Sequence, residues 1–170
     1  MIIIINGSLG VGKSSVSEEL LLRMKNSVLL DGDHLGNVNP FEIYDQKRIS
    51  HLYQTIQLLV AFHEKNGFEN FVINYVFESS DSLKQLQTGL SNTAGPIFTY
   101  WLTSNQEEQE NRIRKRGRSR LDWELKRFVE LQNIQRKESE SGWIGKAIDT
   151  STLSVSDVAD MILEDINPSP

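Results

Sequence analysis

Apolar residues recur along this chain in two rhythms. Short unbroken runs rich in β-branched and aromatic residues alternate with longer stretches of helical spacing. Met1 to Asn6 is a continuous run of four isoleucines between Met and Asn, the pattern of a central parallel strand buried on both faces. Lys13 to about Asn26 follows with Val16, Leu20, Leu21 and Met24 at helical spacing. Ser27 to Leu30 reads as a second short strand and runs into Asp31-Gly32-Asp33. Turn-rich Gly36 to Pro40 precedes a long helix, from about Glu42 to Lys65, which Asn66-Gly67 stops. Phe71 to Phe77 and Pro96 to Leu102 are the third and fourth strands, separated by a helix from Asp81 to about Leu90 that Ser80 or Asp81 caps. Helices from Asn105 to Arg116 and from Leu121 to about Glu138, a candidate fifth strand at Lys146 to Asp149, and a helix from Ser156 to Ile166 complete the reading.

Strands alternating with helices predict an α/β three-layer domain around a parallel sheet. No repeat or linker interrupts it, so residues 1–166 are expected to form one domain, with 167–170 a frayed tail. Right-handed crossovers gather the loops at the carboxyl ends of the strands on one edge. Sequence-distant polar segments converge there: the loop after the first strand, the Asp31–Asp33 pair, and the segments after Phe77 and Leu102.

Gly7 to Ser14 reads GSLGVGKS, the phosphate-binding pattern G-x-x-x-x-G-K-[ST] in its expected place between a strand and a helix. The glycines let the backbone approach an anion without a Cβ in the way. The loop's N–H groups then meet that anion at the positive end of the following helix. Ser8, Leu9, Val11 and Ser15 complete the expected phosphate cradle with Gly7, Gly10 and Gly12. Lys13 supplies a mobile positive charge for β- and γ-phosphates, and the Ser14 hydroxyl is a Mg²⁺ ligand.

Asp31 and Asp33 are alternate residues. In an extended segment both carboxylates face the same way, one toward the water ligands of Mg²⁺ and the other toward the proton of an attacking hydroxyl. A tight Asp-Gly turn with solvated acids is the simpler reading of the same residues. Arg112, Arg114, Lys115, Arg116, Arg118 and Arg120 cluster around Gly117. The cluster reads either as a solvated basic face balanced by Glu107, Glu108 and Glu110, or as a lid closing over phosphates with Gly117 as hinge. Arg112 and Arg116 share one helical face and lead the candidates, with Arg120 third.

GSLGVGKS followed after one helix by LLDGDHL resembles the small-molecule branch of P-loop kinases: adenylyl-sulfate, shikimate and gluconate kinases and chloramphenicol phosphotransferase-like proteins. The resemblance implies a five-stranded parallel sheet in order 2-3-1-4-5, helices on both faces and a helical lid over about residues 112–138. It implies that Lys13 and Ser14 hold ATP·Mg²⁺, that Asp31 is the carboxylate on the Mg²⁺ water ligands, and that Asp33 is the substrate-facing base. Arg116 and Arg112 are then lid arginines, Arg118 stacks on adenine, and the loop at Thr150 backs the adenine ring. The implied reaction moves the ATP γ-phosphate to a hydroxyl of a small molecule.

Other polar residues carry less. The third strand holds no acid, so Asn74 and Glu78 are the nearest groups to the phosphates, and Glu78 is a candidate for substrate contact. His34 adjoins the acid pair, while His51 and His63 fall on the long helix. Trp101 reads as core. Phe41, Tyr44, Trp123 and Trp143 are candidates to line a substrate pocket.

Composition narrows the rest. The chain has 170 residues, 38% apolar and 24% charged, with a formal net charge of −5. That charge implies no general affinity for nucleic acid or an anionic membrane. Without cysteine there are no disulfides, thiolate metal sites or thiol nucleophiles. No run is long enough to span a bilayer, and the first residues lack a signal-peptide pattern, so a cytoplasmic location is expected, as a monomer or a homodimer. Two further readings of the nucleotide site stand beside the kinase one: a GTPase switch and a non-catalytic nucleotide-binding protein. Asp33-His34-Leu35-Gly36 matches the D-x-x-G switch pattern, but it comes one helix after the phosphate loop, and no N-K-x-D motif exists.

Overall fold

The computed structural model describes residues 1–91, 93 and 95–167. Five parallel strands form one sheet: β1 (Ile2–Gly7), β2 (Ser27–Asp31), β3 (Asn70–Asn74), β4 (Ile97–Thr103) and β5 (Lys146–Asp149). Their order is β2-β3-β1-β4-β5, the 2-3-1-4-5 order expected. The helices are α1 (Lys13–Arg23), α2 (Gly32–Leu35), α3 (Gln46–Lys65), α4 (Ser80–Leu90), α5 (Gln106–Lys115), α6 (Leu121–Ser141) and α7 (Val155–Ile166).

β1 lies at the centre, and its four isoleucines are wholly buried. The period of two along a strand sends them to opposite faces. Ile2 and Ile4 join Leu52, Ile56, Val60 and Leu86 of α3 and α4. Ile3 and Ile5 join Val16, Leu20, Val158 and Ile162 of α1 and α7. Each buried aliphatic side chain contributes about 1.5–3 kcal/mol of transfer free energy, so this strand anchors both layers. The phosphate loop therefore leaves the central, fully buried strand of the sheet.

Several boundaries differ from the pattern reading, each for a local reason. α1 ends at Arg23 rather than near Asn26, because Met24 is already extended and Asn26 takes a positive φ of 48°. α3 begins at Gln46 rather than Glu42: the Asp45 carboxylate accepts from the Lys47 N–H, and Arg48 turns back onto the carbonyls of Glu42 and Ile43. β3 ends at Asn74 rather than Phe77, since the Phe77 N–H donates to the Asn6 side chain instead of a neighbouring strand. α6 continues to Ser141. Segment 32–35 is helical where an extended pair was expected. Of the expected tail, residues 168–170 lie outside the described residues, and Asn167 caps α7.

Candidate active site

The loop between β1 and α1 turns through two left-handed glycines, Gly10 (φ 83°) and Gly12 (φ 98°), a region costly for residues with a Cβ. Gly12 is also the N-cap of α1. No side chain caps this helix, and its first turn contains no acid, so its leading N–H groups are left for an anion. They border a small recess of about 40 Å³, lined on the loop side by Leu9, Gly10, Gly12, Lys13 and Ser14 and on the other by Asp33, Arg116 and Arg118. Four groups singled out from the sequence, Lys13, Ser14, Asp33 and Arg116, thus meet in one place.

Lys13 is only 7% exposed, and its ammonium donates to the Ser8 carbonyl at 3.0 Å. Burial pushes it down to about 8 from an ordinary 10.5. Asp33 opposes that shift most strongly, Arg116 reinforces it and Asp31 opposes it more weakly. Burial also lowers the Arg116 guanidinium, with Arg118 adding repulsion and Glu124 working against it. A buried ammonium between two arginines and two carboxylates is a charge arrangement that a phosphate chain completes.

The acid pair is built differently from the extended arrangement expected. Asp31 ends β2 and caps α2: its Oδ1 accepts from the N–H groups of Asp33 at 2.9 Å and His34 at 3.1 Å. That turn swings Asp33 to the recess, while Asp31 stays one step back and is felt by Lys13 through space. Among the described residues Asp31 Oδ2 is in no hydrogen bond. No cluster of three or more His, Asp or Glu side chains there is arranged to hold a metal by itself. Ser14 and Asp31 fit a hydrated Mg²⁺ that also takes phosphate oxygens, the usual way this ion is held.

Two larger clefts open on either side of the recess. One, of about 320 Å³, runs over Gly10, Val11, Gly12 and Ser15 toward Arg112 and Thr150. Arg112 is fastened there: its guanidinium donates to the Thr150 hydroxyl at 3.0 Å and carbonyl at 2.7 Å, and its Nε to Glu108 at 2.8 Å. Thr150 in turn donates to the Val11 carbonyl at 2.9 Å, tying the loop after β5 to the phosphate loop. The other cleft, of about 360 Å³, begins at Leu9 and Asp33 and is walled by Phe41, Tyr75, Trp123 and Arg127. Asp33 and Arg118 line both this cleft and the recess, and Arg116 lines both the recess and the first cleft.

Gly7 and Ser8 support the loop from behind: the Gly7 N–H donates to Asn6 at 2.7 Å and the Ser8 hydroxyl accepts from Gln109 at 2.5 Å. Arg118 lines the second cleft, 3.3 Å from Glu124, and does not line the Thr150 cleft. Glu78 lines that same second cleft, paired with Arg127 and accepting from the Tyr44 hydroxyl at 3.2 Å. The His34 side chain is 88% exposed, 3.6 Å from Asp31, and lines none of the three spaces. Asn74 is buried, with Nδ2 lacking a hydrogen-bond partner.

Sequence reasoning missed a set of buried amides. Asn6 Oδ1 accepts from the N–H groups of Gly7 and Phe77 and from Gln135 at 3.1 Å, while its Nδ2 donates to the Ile144 carbonyl at 3.0 Å. Gln135 also donates to the Phe77 carbonyl at 2.9 Å and accepts from Trp101 Nε1 at 3.2 Å. Gln109 holds Ser8 and the Leu9 carbonyl and accepts from Gln132. The only signal in the sequence was Gln132 and Gln135 at helical spacing on a polar helix, which does not separate buried amides from solvated ones. Arg48 and Arg127 were missed for the same reason; each lies one turn before a buried leucine.

No protein-family profile matches the chain, and no curated protein matches it in sequence. Its structure is similar to several solved ones. A sugar kinase from a Janibacter species superposes with a TM-score of 0.71 at 13% identity, covering 99% of this chain and 95% of that one. The tunicamycin resistance protein of Deinococcus radiodurans gives 0.70 at 18%, covering 99% and 96%. The shikimate kinase of Acinetobacter baumannii, solved in complex with shikimate, gives 0.63 at 18%, covering 98% and 92%. At such identities the likeness shows the fold alone: a five-stranded parallel α/β fold shared with these proteins, two of which are described as kinases.

Proposed function

We infer that the chain is a phosphotransferase that moves the γ-phosphate of ATP to a hydroxyl of a small molecule. One observation carries the reading: Asp33 stands at the junction of the phosphate recess and the second cleft, lining both. A carboxylate there reaches an acceptor hydroxyl and the terminal phosphate together, which is what in-line transfer requires.

The uncapped start of α1 and the Lys13 ammonium hold the phosphate chain. Val11, Arg112 and Thr150 border the space for the nucleoside. Ser14 and Asp31 hold Mg²⁺ and its water ligands; when bound, the ion neutralises charge on the β- and γ-phosphate oxygens. Asp33 orients the acceptor hydroxyl and takes its proton as the oxygen–phosphorus bond forms. The bond from the γ-phosphorus to the bridging oxygen breaks, and ADP leaves with that electron pair. Arg116 and Arg118 offset charge on the phosphoryl group in flight and, with α6, make up a lid over about residues 112–138 whose closure excludes water.

Asp33→Asn tests the assignment. Turnover is expected to fall about 10²–10⁴-fold, with the ATP dissociation constant within a few-fold of the parent by calorimetry. Unchanged turnover removes Asp33 as the base. Tight ATP binding with no ADP release across a broad panel of alcohols removes the phosphotransfer reading.

A further inference from the structure

The cleft beside Asp33 carries information about the acceptor itself. Its volume of about 360 Å³ falls in the range of small-molecule sites. Phe41, Tyr75 and Trp123 form much of its wall. Phe41 is 51% and Trp123 48% exposed, although one belongs to the loop after α2 and the other to the first turn of α6. Two large aromatic surfaces from distant segments, both left open onto the same cleft, suit a ring laid against them, which recovers the apolar burial they forgo.

The charges in this cleft argue against an acid. Four arginines line the cleft: Arg118, 3.3 Å from Glu124, and Arg120 are exposed to water, while the two buried ones, Arg48 and Arg127, already have partners. Arg48 donates to the carbonyls of Glu42 at 2.9 Å and Ile43 at 2.7 Å and sits 4.8 Å from the Phe41 ring centroid. Arg127 is paired with Glu78, lies 2.7 Å from Glu130, and donates to the Tyr44 hydroxyl at 3.0 Å. Reading a carboxylate takes a desolvated guanidinium with a free edge, and Arg48 Nε and Nη2 and Arg127 Nη1 and Nη2 are already engaged. Glu124, buried in the same wall, keeps one carboxylate oxygen without a hydrogen-bond partner, a group that disfavours an anion further.

We propose that the acceptor is a neutral, ring-bearing alcohol, of the aryl glycoside or nucleoside type, whose ring rests on the Phe41–Tyr75–Trp123 wall while one hydroxyl reaches Asp33. The proposal rests on the phosphotransfer reading and adds the class of substrate.

The test uses the full chain with ATP and Mg²⁺ and four probes: phenyl β-D-glucopyranoside and uridine as neutral rings, D-gluconate and shikimate as acids. ADP release and tryptophan emission are followed together. The neutral rings are expected to shift the emission and to give kcat/KM at least tenfold above either acid. Trp123→Ala is expected to raise the KM of the ring compounds at least tenfold, leaving the KM of ATP within twofold, and Trp123→Phe to restore most of the loss. Preference for an acid, a KM unmoved by Trp123→Ala, or the absence of binding by both ring compounds overturns the proposal. ADP from the acids alone removes the ring and leaves phosphotransfer standing. Ring binding with no ADP from any probe does the reverse.

Discussion

At the scale of single residues, Lys13 concentrates the conflict between folding and binding. Its ammonium is buried against one carbonyl and held down to about 8, so the unfolded chain binds more protons than the folded one between pH 8 and about 10.5. Nucleotide-free stability therefore rises through that window, and the penalty, on the order of 3 kcal/mol, is fully present below pH 8. Replacing Lys13 with Met is expected to raise the melting temperature of the free chain by several degrees, at about 2–4 °C per kcal/mol for a chain of this length. The same change is expected to abolish stabilisation by ATP, and both effects are read in one series of thermal unfolding curves. ATP affinity in the parent is expected to weaken as pH rises past 8, where Lys13 of the free chain loses its proton; calorimetry at pH 7 and pH 9 checks it. The motif made Lys13 legible in advance because its spacing from the glycines is strictly local. Glu124, Arg48 and Arg127 were not, since their importance comes from neighbours far away in the chain.

Among the elements, α6 shows most clearly what a periodic pattern conceals. Its sequence is dense in charge, yet Gln135 is 1% exposed and joins the end of β1, the segment after β3 and Trp101 of β4. Gln135→Ala is expected to destabilise the fold by about 1–3 kcal/mol, because it leaves the Phe77 carbonyl and Trp101 Nε1 without their Gln135 partner; denaturant titration measures it. The effect on turnover is expected to exceed the share due to unfolding, as Asn6 also holds the Gly7 N–H at the root of the phosphate loop. Apart from α2, helix existence and order were readable because apolar spacing is a property of one segment. Boundaries were read less well: α3 starts where Asp45 offers a cap, and α2 exists because Asp31 caps it. Such side-chain bonds compete with the backbone's own choices and leave only a faint pattern in sequence.

For the whole molecule, two buried layers on a central strand set a rigid base, with the segment around Gly117 at the edge of the site. Arg118 and Arg120 are exposed, and Gly117 takes a positive φ of 61°. Amides of residues 116–123 are expected to exchange hydrogen faster than those of β1 and β3 in the free chain. Adding a non-hydrolysable ATP analogue with Mg²⁺ is expected to slow them, as the lid reading requires; unchanged exchange there argues against closure. Among the described residues no helix is long and apolar enough to cross a membrane. The amino-acid order alone determined the α/β alternation, the phosphate loop and the pair of acids after the second strand, because each is a short-range pattern in which spacing dictates geometry. Tertiary structure alone decided that Asp33 rather than Asp31 faces the recess, that Arg112 is fastened to Thr150 while Arg116 and Arg118 border the recess, and that the buried arginines of the aromatic-walled cleft already have partners. Those outcomes depend on which distant groups share a small volume, where partners and desolvation set the behaviour of each charge.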